Sequence, residues 1–393
     1  MRTFHCRGYK DAAIYSGKWD FAEIGEIADI GSGNSAPQGE IYFKKGRYPF
    51  YRTSDVGKVH ISTNLDQSVD CVNDLAVKEK RLHLFPKNTI LFPKSGASTF
   101  LNHRVMISRE GYVSSHLATI VPDENKVHPL FLFHLLCTID AKALTPDQAY
   151  PSLKISRVQQ IKIPLPPLEI QEKIVAELDG YQKIINGAKQ IIENYKPTIK
   201  IDPSWEMVEL GEVCSVQSGG TPSKNKKEYW EHGDIPWVGS TVCKDCFVNR
   251  TQQFITEEGL KNSSAKIFKP KTTLIALVGA TIGKTAFLMV ESATNQNIAG
   301  IYPKDDKMLL PEFVFYISQI LYGEFMNLGS GKFRMANLSF VKSLKIPLPP
   351  IDVQQQIVNQ IKKEQRLVGA NKELLTLFEQ KIKDRIAQVW GEK

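Results

Sequence analysis

Two short segments have spacings that suggest nucleotide or metal chemistry, and both depart from the pattern that such chemistry needs. Residues 279–285 read GATIGKT, with three residues between the glycines where a phosphate-binding P-loop has four. The shorter spacing would misplace the backbone N–H groups around the phosphates. Cys243 and Cys246 form an isolated C-x-x-C pair, and the sequence nearby lacks a second ligand pair for a structural zinc site. We therefore interpret the first segment as a tight turn and the second as ordinary thiols.

Other common catalytic signatures are missing from the sequence. It contains no G-x-S-x-G nucleophile motif, no Asn/Asp-Pro-Pro-aromatic tetrapeptide of adenine methyltransferases and no glycine-rich cofactor loop. The cysteines are scattered, and we expect free thiols at all of them: Cys6, Cys71, Cys137, Cys214, Cys243 and Cys246. We predict a chain that is not an enzyme and that holds no metal and no cofactor of its own.

Several polar loops contain side chains of the types that contact nucleic acid. The chain has a net charge of +8 at pH 7, of which +5 falls in residues 1–163, +2 in residues 197–346 and −1 in residues 164–196. Arg, Lys, Asn and Gln reach base edges, and Lys and Ser also hold phosphates. For each residue an ordinary solvated loop is the alternative. The first-half candidates for DNA binding are Lys44, Lys45, Arg47, Tyr48, Arg52, Ser54, Lys94, Ser98, Asn102, His103, Arg104, Ser115 and His116. The second-half candidates are Lys224, Asn225, Lys226, Lys227, Ser240, Thr241, Thr281, Lys284, Thr285, Asn295, Gln296, Asn297, Lys332 and Arg334.

These loops lie within the two copies of an internal duplication. The hexapeptide KIPLPP occurs at residues 162–167 and again at 345–350, a shift of 183 residues. Trp19 opens the first copy and Trp205 opens the second, each followed by a similar segment. Two copies of a whole domain imply approximate two-fold symmetry rather than a solenoid.

After each proline cluster, the apolar residues recur at alternating steps of four and three, which predicts a long helix with a heptad seam. The first seam consists of Ile174, Leu178, Tyr181, Ile185, Ala188, Ile192 and Tyr195. The second seam consists of Ile357, Ile361, Val368, Leu375, Phe378 and Ile382. Glu364 and Asn371 interrupt the second seam, and they either fix the register or lie at a wet edge. A flanking row of Ile184, Ile191, Leu367 and Leu374 widens the stripes and leaves a face for other proteins.

Together these patterns predict an α+β fold. Two similar mixed α/β domains are separated by two long helices that pair as an antiparallel coiled coil, with internal pseudo-two-fold symmetry. The expected limits are 1–163 for the first domain with a short N-terminal extension, 164–200 for the hinge and first helix, 201–346 for the second domain, and 347–393 for the second hinge and helix. A helix over residues 170–195 would be roughly 39 Å long, close to one turn of DNA.

The duplicated IPLPP hinges, each followed by a glutamine (Gln171 and Gln354), resemble those of the specificity subunit of type I restriction–modification enzymes. The W-x-x-x-x-[IL]-G-E openings at 19–26 and 205–212 are also similar to that family. The resemblance implies two target-recognition domains, each reading one half of a bipartite site in double-stranded DNA. It implies that the helices set the spacing and dock two adenine methyltransferase subunits, which use S-adenosylmethionine. A restriction and translocase subunit that uses ATP can join such complexes.

Two other classes of function compete with this interpretation. A coiled-coil adaptor would join proteins without DNA specificity, and a nucleotide-dependent enzyme would use residues 279–285. The sequence has no apolar run of eighteen residues and no export signal at its start, so we expect no membrane span and a cytoplasmic location.

Overall fold

The structure is a computed structural model that describes residues 19–59, 61–144, 152–328 and 335–391. The chain divides into two compact units. Unit 1 consists of Met1–Gln190 and Lys372–Lys393, and unit 2 consists of Ile191–Asn371. Each unit contains the same series of strands with the same pairing, so the predicted internal repeat and the α+β class are confirmed.

Unit 1 is built on three small sheets. Its strands are β1 (Phe21–Glu23), β2 (Ala28–Ser32), β3 (Tyr48–Tyr51), β4 (Ser62–Leu65), β5 (Asp70–Val72), β6 (Leu84–Phe85), β7 (Ile90–Pro93), β8 (Val105–Ile107), β9 (Gly111–Val113), β10 (Leu117–Pro122) and β11 (Lys162–Pro164). One sheet has the order β2-β10-β7-β8-β4, a second has the order β5-β3-β9-β6, and β1 pairs with β11. Its short helices are α1 (Ile24–Ile27), α2 (Thr53–Val59), α3 (Asp74–Glu79), α4 (Pro129–Leu136), α5 (Ala141–Leu144) and α6 (Ile155–Gln159).

Unit 2 repeats this plan strand for strand. After the long helix α7 (Leu168–Asn194), the strands are β12 (Glu206–Glu209), β13 (Cys214–Ser218), β14 (Ile235–Val238), β15 (Cys246–Val248), β16 (Gln253–Ile255), β17 (Ile267–Phe268), β18 (Thr273–Ala276), β19 (Thr285–Leu288), β20 (Ser292–Thr294), β21 (Ile298–Pro303) and β22 (Lys345–Leu348). The sheet orders are β13-β21-β18-β19-β15 and β16-β14-β20-β17, and β12 pairs with β22. The helices are α8 (Leu210–Val213), α9 (Glu257–Lys261), α10 (Pro311–Ile320), α11 (Tyr322–Met326), α12 (Leu338–Ser343) and the long α13 (Ile351–Trp390).

The largest core of each unit lies between the five-stranded sheet and the helix that follows it. In unit 1, Ile90 and Phe92 on β7 pack with Phe131 and Leu135 on α4, and all four are buried. The helix begins at Pro129, where a proline costs no helical hydrogen bond because the first N–H groups have no partner within the helix. Each fully buried large apolar side chain contributes about 1.5–3 kcal/mol, so this layer holds the sheet and helix together.

A buried glutamine joins each proline hinge to its domain. Gln171 is fully buried; its Oε1 accepts from the backbone N–H of His128 at 2.8 Å, and its Nε2 donates to the carbonyls of Pro166 at 2.7 Å and Lys126 at 3.3 Å. The amide therefore fixes the start of α7 to the loop that precedes α4.

Gln354 repeats this arrangement in unit 2. Its Oε1 accepts from the backbone N–H of Leu310 at 2.9 Å, and its Nε2 donates to the carbonyls of Met308 at 2.9 Å and Pro349 at 2.8 Å. The glutamine that follows each IPLPP segment is therefore a structural clamp in both copies.

None of the helices in the described ranges has the length and apolar character needed to cross a membrane.

Candidate nucleic-acid interface

In unit 1, the first group of predicted DNA-binding residues lies on and beside β3. Lys44 and Lys45 are exposed just before the strand. Nη2 of Arg47 lies 2.8 Å from Oδ1 of Asp74, and the hydroxyl of Tyr48 donates to the same oxygen at 2.9 Å. Hydrogen bonds from Tyr48 and Arg47 lower the pKa of Asp74, and the Arg47–Asp74 pair is mostly exposed.

Arg52 lies directly after β3 and is held by several neighbours. Its guanidinium carbon is 5.3 Å from the ring centre of Phe50 and 5.9 Å from that of Phe43. Its Nε lies 2.5 Å from Oδ2 of Asp70. Ser54 is exposed in the first turn of α2, close by in the sequence. Arg52 is therefore a half-exposed cation whose direction is fixed by aromatic and acidic contacts.

The second group in unit 1 surrounds the 3₁₀ turn Ala97–Leu101, which follows β7. The hydroxyl of Ser95 and Nδ1 of His116 are 2.8 Å apart. Asn102 donates to Asp140 at 2.9 Å and accepts from the backbone N–H of Ala141 at 2.8 Å. The residues of this group that keep at least partial exposure are Lys94, Ser98, Asn102, His103, Ser115 and His116.

Arg104 is a correction to the predicted set. Its side chain is 1% exposed, and its guanidinium lies 3.7 Å from the ring centre of Phe92. It donates to the carbonyls of His103 at 2.9 Å and Ile139 at 3.2 Å, and burial lowers its pKa to about 10. A fully buried guanidinium that donates to main-chain carbonyls cannot reach a DNA groove, so Arg104 is a structural residue.

In unit 2, Lys224, Asn225, Lys226 and Lys227 form an exposed loop that leads into the 3₁₀ turn Lys227–Tyr229. Nζ of Lys226 lies 2.9 Å from the hydroxyl of Tyr229 and 4.8 Å from its ring centre. Lys224 is exposed, and Nζ of Lys227 lies 3.7 Å from Oε1 of Glu231 in an exposed ion pair.

The segment that resembles a P-loop is a turn between two antiparallel strands, β18 and β19, and not a strand–loop–helix unit. The hydroxyl of Thr281 donates to the carbonyl of Ser240 at 3.2 Å. Nζ of Lys284 lies 2.9 Å from Oδ2 of Asp245 and 4.4 Å from the ring centre of Tyr322. This geometry agrees with the rejection of a nucleotide site, since the lysine is already held by a carboxylate. Thr241 remains exposed beside the turn.

Thr285 is a second correction. It is fully buried, and both its N–H and its hydroxyl donate to Oδ1 of Asp245, at 3.0 and 3.1 Å. Its hydroxyl is used inside the domain, so Thr285 is not available to DNA.

The remaining candidates of unit 2 follow β20. Gln296 is exposed, and its Oε1 accepts from the hydroxyl of Thr221 at 2.6 Å. Asn295 accepts from the backbone N–H of Asn297 at 3.2 Å, which shapes the turn. Lys332 and Arg334 lie outside the described residues.

Residues that the sequence analysis did not select line an open cleft in each unit. In unit 1 the cleft lies beside Arg52 and includes Gln38, Phe43 and Asp70. In unit 2 it lies beside Lys224 and Lys227, and it includes Trp230, Gln252, Gln253 and Phe254. The clefts form because β5 pairs with β3 and β16 pairs with β14, and the sequence contains no local signal for these pairings.

The predicted helix seam forms in unit 1. The rings of Tyr181 and Phe378 are 5.4 Å apart, and Nε of Arg385 donates to Oε2 of Glu177 at 2.8 Å. Residue numbers rise along one helix as they fall along the other, so α7 and the end of α13 run antiparallel, as predicted. The buried or half-buried seam residues of unit 1 are Ile174, Leu178, Tyr181, Ile185, Ala188, Leu375, Phe378 and Ile382.

Unit 2 contains the other contacts of the seam. The hydroxyl of Tyr195 donates to Oε2 of Glu364 at 3.2 Å, so this acidic interruption contacts the facing helix and can specify register. Asn371 donates to the carbonyl of Leu367 within its own helix at 2.8 Å. Ile192, Ile357, Ile361 and Val368 are buried or half-buried.

The C-x-x-C pair has no metal-like surroundings. Cys243 is fully buried, and burial raises the pKa of its thiol to about 12. The thiol of Cys246 donates to the carbonyl of Val242 at 3.3 Å. Across the described residues, histidines, cysteines and carboxylates do not cluster in a way that could hold a metal ion.

Comparisons with known proteins agree on one family. A family model described as the type I restriction modification DNA specificity domain matches residues 16–194 and again residues 203–377. The chain is 28% identical over 276 residues to the type I restriction enzyme EcoR124I/EcoR124II specificity subunit of Escherichia coli, which covers 63% of this chain and 66% of the relative. The chain thus spans just under two thirds of that relative's length.

A longer match and a solved structure extend the similarity. The putative type I restriction enzyme MjaX specificity subunit of Methanocaldococcus jannaschii is 24% identical over 384 residues, covering 88% of this chain and 86% of the relative. A solved structure from work on complex assembly and conformational transition of the type I R-M system superposes with a TM-score of 0.61 at 19% identity. It covers 94% of this chain and 96% of that chain, and at this identity it supports the fold alone.

Proposed function

The chain belongs to the type I restriction modification DNA specificity family, and from this premise we propose that it is the DNA-specificity subunit of a type I restriction–modification complex. Residues 1–163 and 201–346 act as target-recognition domains, and each reads one half of a bipartite site in double-stranded DNA. The observation that carries the proposal is the match of the family model to both copies of a duplicated fold.

The charge distribution supports DNA contact through the globular parts. The excess of lysine and arginine falls in residues 1–163 and, less strongly, in 197–346, whereas residues 164–196 have a net charge of −1. Exposed lysines in both units can release counterions from the DNA backbone on binding. Two half-sites read by one chain add their binding energies, so the specificity of the whole exceeds that of either half.

The helices carry the second part of the proposal, in which residues 164–200 and 347–393 set the spacing of the half-sites and dock two adenine methyltransferase subunits. Each unit exposes large apolar residues next to its buried seam: Ile184, Leu374 and Leu377 in unit 1, and Ile191 and Leu367 in unit 2. Apolar rows that remain exposed beside a closed seam mark surfaces for protein partners.

The chemistry then belongs to the partners. Methyl transfer from S-adenosylmethionine takes place in the methyltransferase subunits, and any ATP-dependent restriction subunit adds cleavage. The chain itself is non-catalytic and acts in the cytoplasm, where it meets the genomic DNA. The adaptor alternative requires the exposed loop cations to be incidental, and a gel shift of the assembled complex with competitor DNA separates the two.

The decisive test is to express the chain with its methyltransferase subunit in a host that lacks adenine methylation and to map methylated adenines. We expect one bipartite motif with a fixed gap, and no methylation from the methyltransferase subunit alone. Methylation without sequence preference, or the same motif in the absence of this chain, would overturn the proposal.

A further inference from the structure

The two open clefts occupy the same place in the two units. Each lies between a 3₁₀ turn (Glu40–Tyr42 or Lys227–Tyr229) and an edge strand of the four-stranded sheet, β5 or β16. An aromatic residue follows each turn directly, Phe43 in unit 1 and Trp230 in unit 2.

The backbone that frames the clefts is built alike in both copies. Lys45 and His232 both have positive φ values, 54° and 58°, and each is followed by a glycine. A Cβ on Gly46 would collide with the backbone of Cys71, and a Cβ on Gly233 would lie 2.6 Å from the backbone of Ile255. The turn therefore packs against the edge strand closely enough to require glycine, and the frame is retained between the units.

The side chains within this frame differ in chemistry. In β5, Asp70 pairs with Phe50, and the corresponding pair in unit 2 is Gln253 with Trp237. The cleft of unit 1 contains Arg52, one lysine, two carboxylates, one glutamine and one aromatic ring. As far as the structure describes the chain, that of unit 2 contains no arginine but two glutamines, two aromatic rings, two lysines, a histidine and one carboxylate. A duplicated reader of two different half-sites should keep the residues that fold it and change those that contact bases.

Arg52 is preorganised for such a contact. The buried carboxylate of Asp55 accepts from the backbone N–H of Arg52 at 2.9 Å and from that of Val69 at 3.1 Å, which fixes the start of α2. The guanidinium lies against the rings of Phe50 and Phe43, and Asp70 holds its Nε. Within the described ranges, no hydrogen bond from its two Nη groups is seen, so the planar fork is open toward the cleft.

Unit 2 presents a different set of groups. Nε1 of Trp230 donates to the carbonyl of Ser223 at 3.1 Å, and its ring meets Trp237 edge-on at 5.2 Å, so its position is fixed. Gln252, Gln253 and Phe254 are exposed on the other wall. Glutamine pairs with adenine through two hydrogen bonds, and aromatic carbon packs on the thymine methyl group.

We propose that these two clefts are the base-reading sites, with Arg52 specifying a guanine in one half-site and the Gln252–Gln253 pair specifying an adenine in the other. An arginine fork matches O6 and N7 of guanine, which is the commonest specific contact in the major groove. Three other cations are less suited, because Lys284 is held by Asp245, Arg104 is buried, and Arg47 is paired through its own Nη2. Lys44 also lines the cleft of unit 1 but has no guanidinium fork. The inference rests on the proposed function.

The test compares methylation motifs of assembled complexes that carry Arg52→Lys or Arg157→Lys. Arg157 is exposed on α6 and outside the cleft. Both changes keep the charge and remove a guanidinium fork, and only the first lies in the cleft. We expect Arg52→Lys to relax one guanine position of one half-site by at least about fivefold and to leave the other half-site unchanged. Arg157→Lys should retain the wild-type motif. The double change Gln252→Ala and Gln253→Ala should relax an adenine in the other half-site, whereas the control Gln217→Ala, at an exposed position on β13, should not.

A measurement on the unmodified protein removes any dependence on how the variants fold. Replacing that guanine in a DNA probe by 7-deazaguanine deletes the N7 acceptor, and the wild-type complex should lose binding by a similar factor. A sharp wild-type motif that is insensitive both to Arg52→Lys and to deaza substitution at every guanine would overturn the inference and leave the proposed function intact. A wild-type complex without sequence preference would instead overturn the proposed function.

Discussion

Units 1 and 2 have the same strand order, the same sheet pairing and the same glutamine clamp, yet they close their part of the helix seam with different groups. Unit 1 uses the tilted ring contact of Tyr181 with Phe378 and the ion pair of Arg385 with Glu177. Unit 2 uses the hydrogen bond from Tyr195 to Glu364. The residues retained between the two units belong to the fold, whereas the contacts that close the helix seam and the residues that line the clefts differ.

The largest loss of stability is expected for a substitution in the helix seam of unit 1. Ile185 is 2% exposed, so Ile185→Asp buries a charge without a partner and should destabilise unit 1 by several kcal/mol, about 3–5. Val368, 183 residues later, is only half-buried, so Val368→Asp should cost less. Chemical denaturation of both variants measures the difference.

The neighbouring Ile184 supplies the control. It is 41% exposed on the same helix, so Ile184→Asp should leave the free energy of unfolding within about 0.5 kcal/mol of wild type. Equal losses for Ile184→Asp and Ile185→Asp would contradict the seam assignment.

The next largest loss of stability is expected for the two glutamine clamps, and it should be equal in the two units. Gln171→Leu leaves one buried N–H and one or two carbonyls without partners, which costs about 2–4 kcal/mol. Gln354→Leu removes the matching bonds and should cost the same within about 1 kcal/mol. Denaturant titration followed by circular dichroism measures the free energy of unfolding of each variant. A difference of more than about 1 kcal/mol between the two losses would show that the clamps share their geometry but not their energetic contribution.

A smaller effect should be confined to unit 1. Arg385 has a largely buried side chain, whereas that of Glu177 is partly exposed. Arg385→Met keeps much of the packing and removes the ion pair, and it should cost about 1–2 kcal/mol because Glu177 can be rehydrated. Amide hydrogen exchange should show faster opening in α7 around Glu177, with residues 210–346 unchanged. Equal acceleration of hydrogen exchange in α7 and in residues 210–346 would contradict a local role for the ion pair.

The smallest effect concerns the tyrosines of the seam. Burial, with the charge of Glu364, raises the pKa of Tyr195 to about 12, and burial with the hydrogen bond to Glu177 raises the pKa of Tyr181 to about 12. The unfolded phenols ionise near pH 10, so this contribution to stability is complete below pH 10 and is lost as the pH rises toward 12. Ultraviolet titration should show several late-ionising tyrosines, one fewer of them in Tyr195→Phe, and the free energy of unfolding at pH 7 should fall by less than about 1 kcal/mol. Titration of Tyr195 at the ordinary pH of a free phenol would refute the assignment.

Much of this architecture is encoded in local patterns. The alternating steps of Ile174, Leu178 and Tyr181 predict the seam because heptad spacing acts within one helix. The repeated IPLPP segments predict the hinges, and the proline at the start of α4 predicts the helix that follows.

The candidate site is harder to predict because it depends on distant pairings. Arg104 follows a polar loop and suggests exposure, but β8 pairs with β7 and brings its side chain onto Phe92. Arg47 and Arg52 look alike in sequence, and only the pairing of β3 with β5 places one of them in the cleft next to Asp70. The spacing of hydrophobic residues along the sequence carries no information on which strands pair and which side chains they bring together.

The glutamine clamps bind only main-chain atoms: an N–H of His128 or Leu310, and carbonyls of Lys126 or Met308 and of the hinge proline before the helix. The hinge residue is proline in both copies, but the side chains at the other two positions differ, His128 against Leu310 and Lys126 against Met308, while the bonds stay the same. Any domain whose loop follows the same path can therefore make the same contacts with the glutamine, whatever its side chains. Under the proposed function, exchanging a whole domain at the hinge prolines would change the DNA half-site and leave these main-chain hydrogen bonds intact.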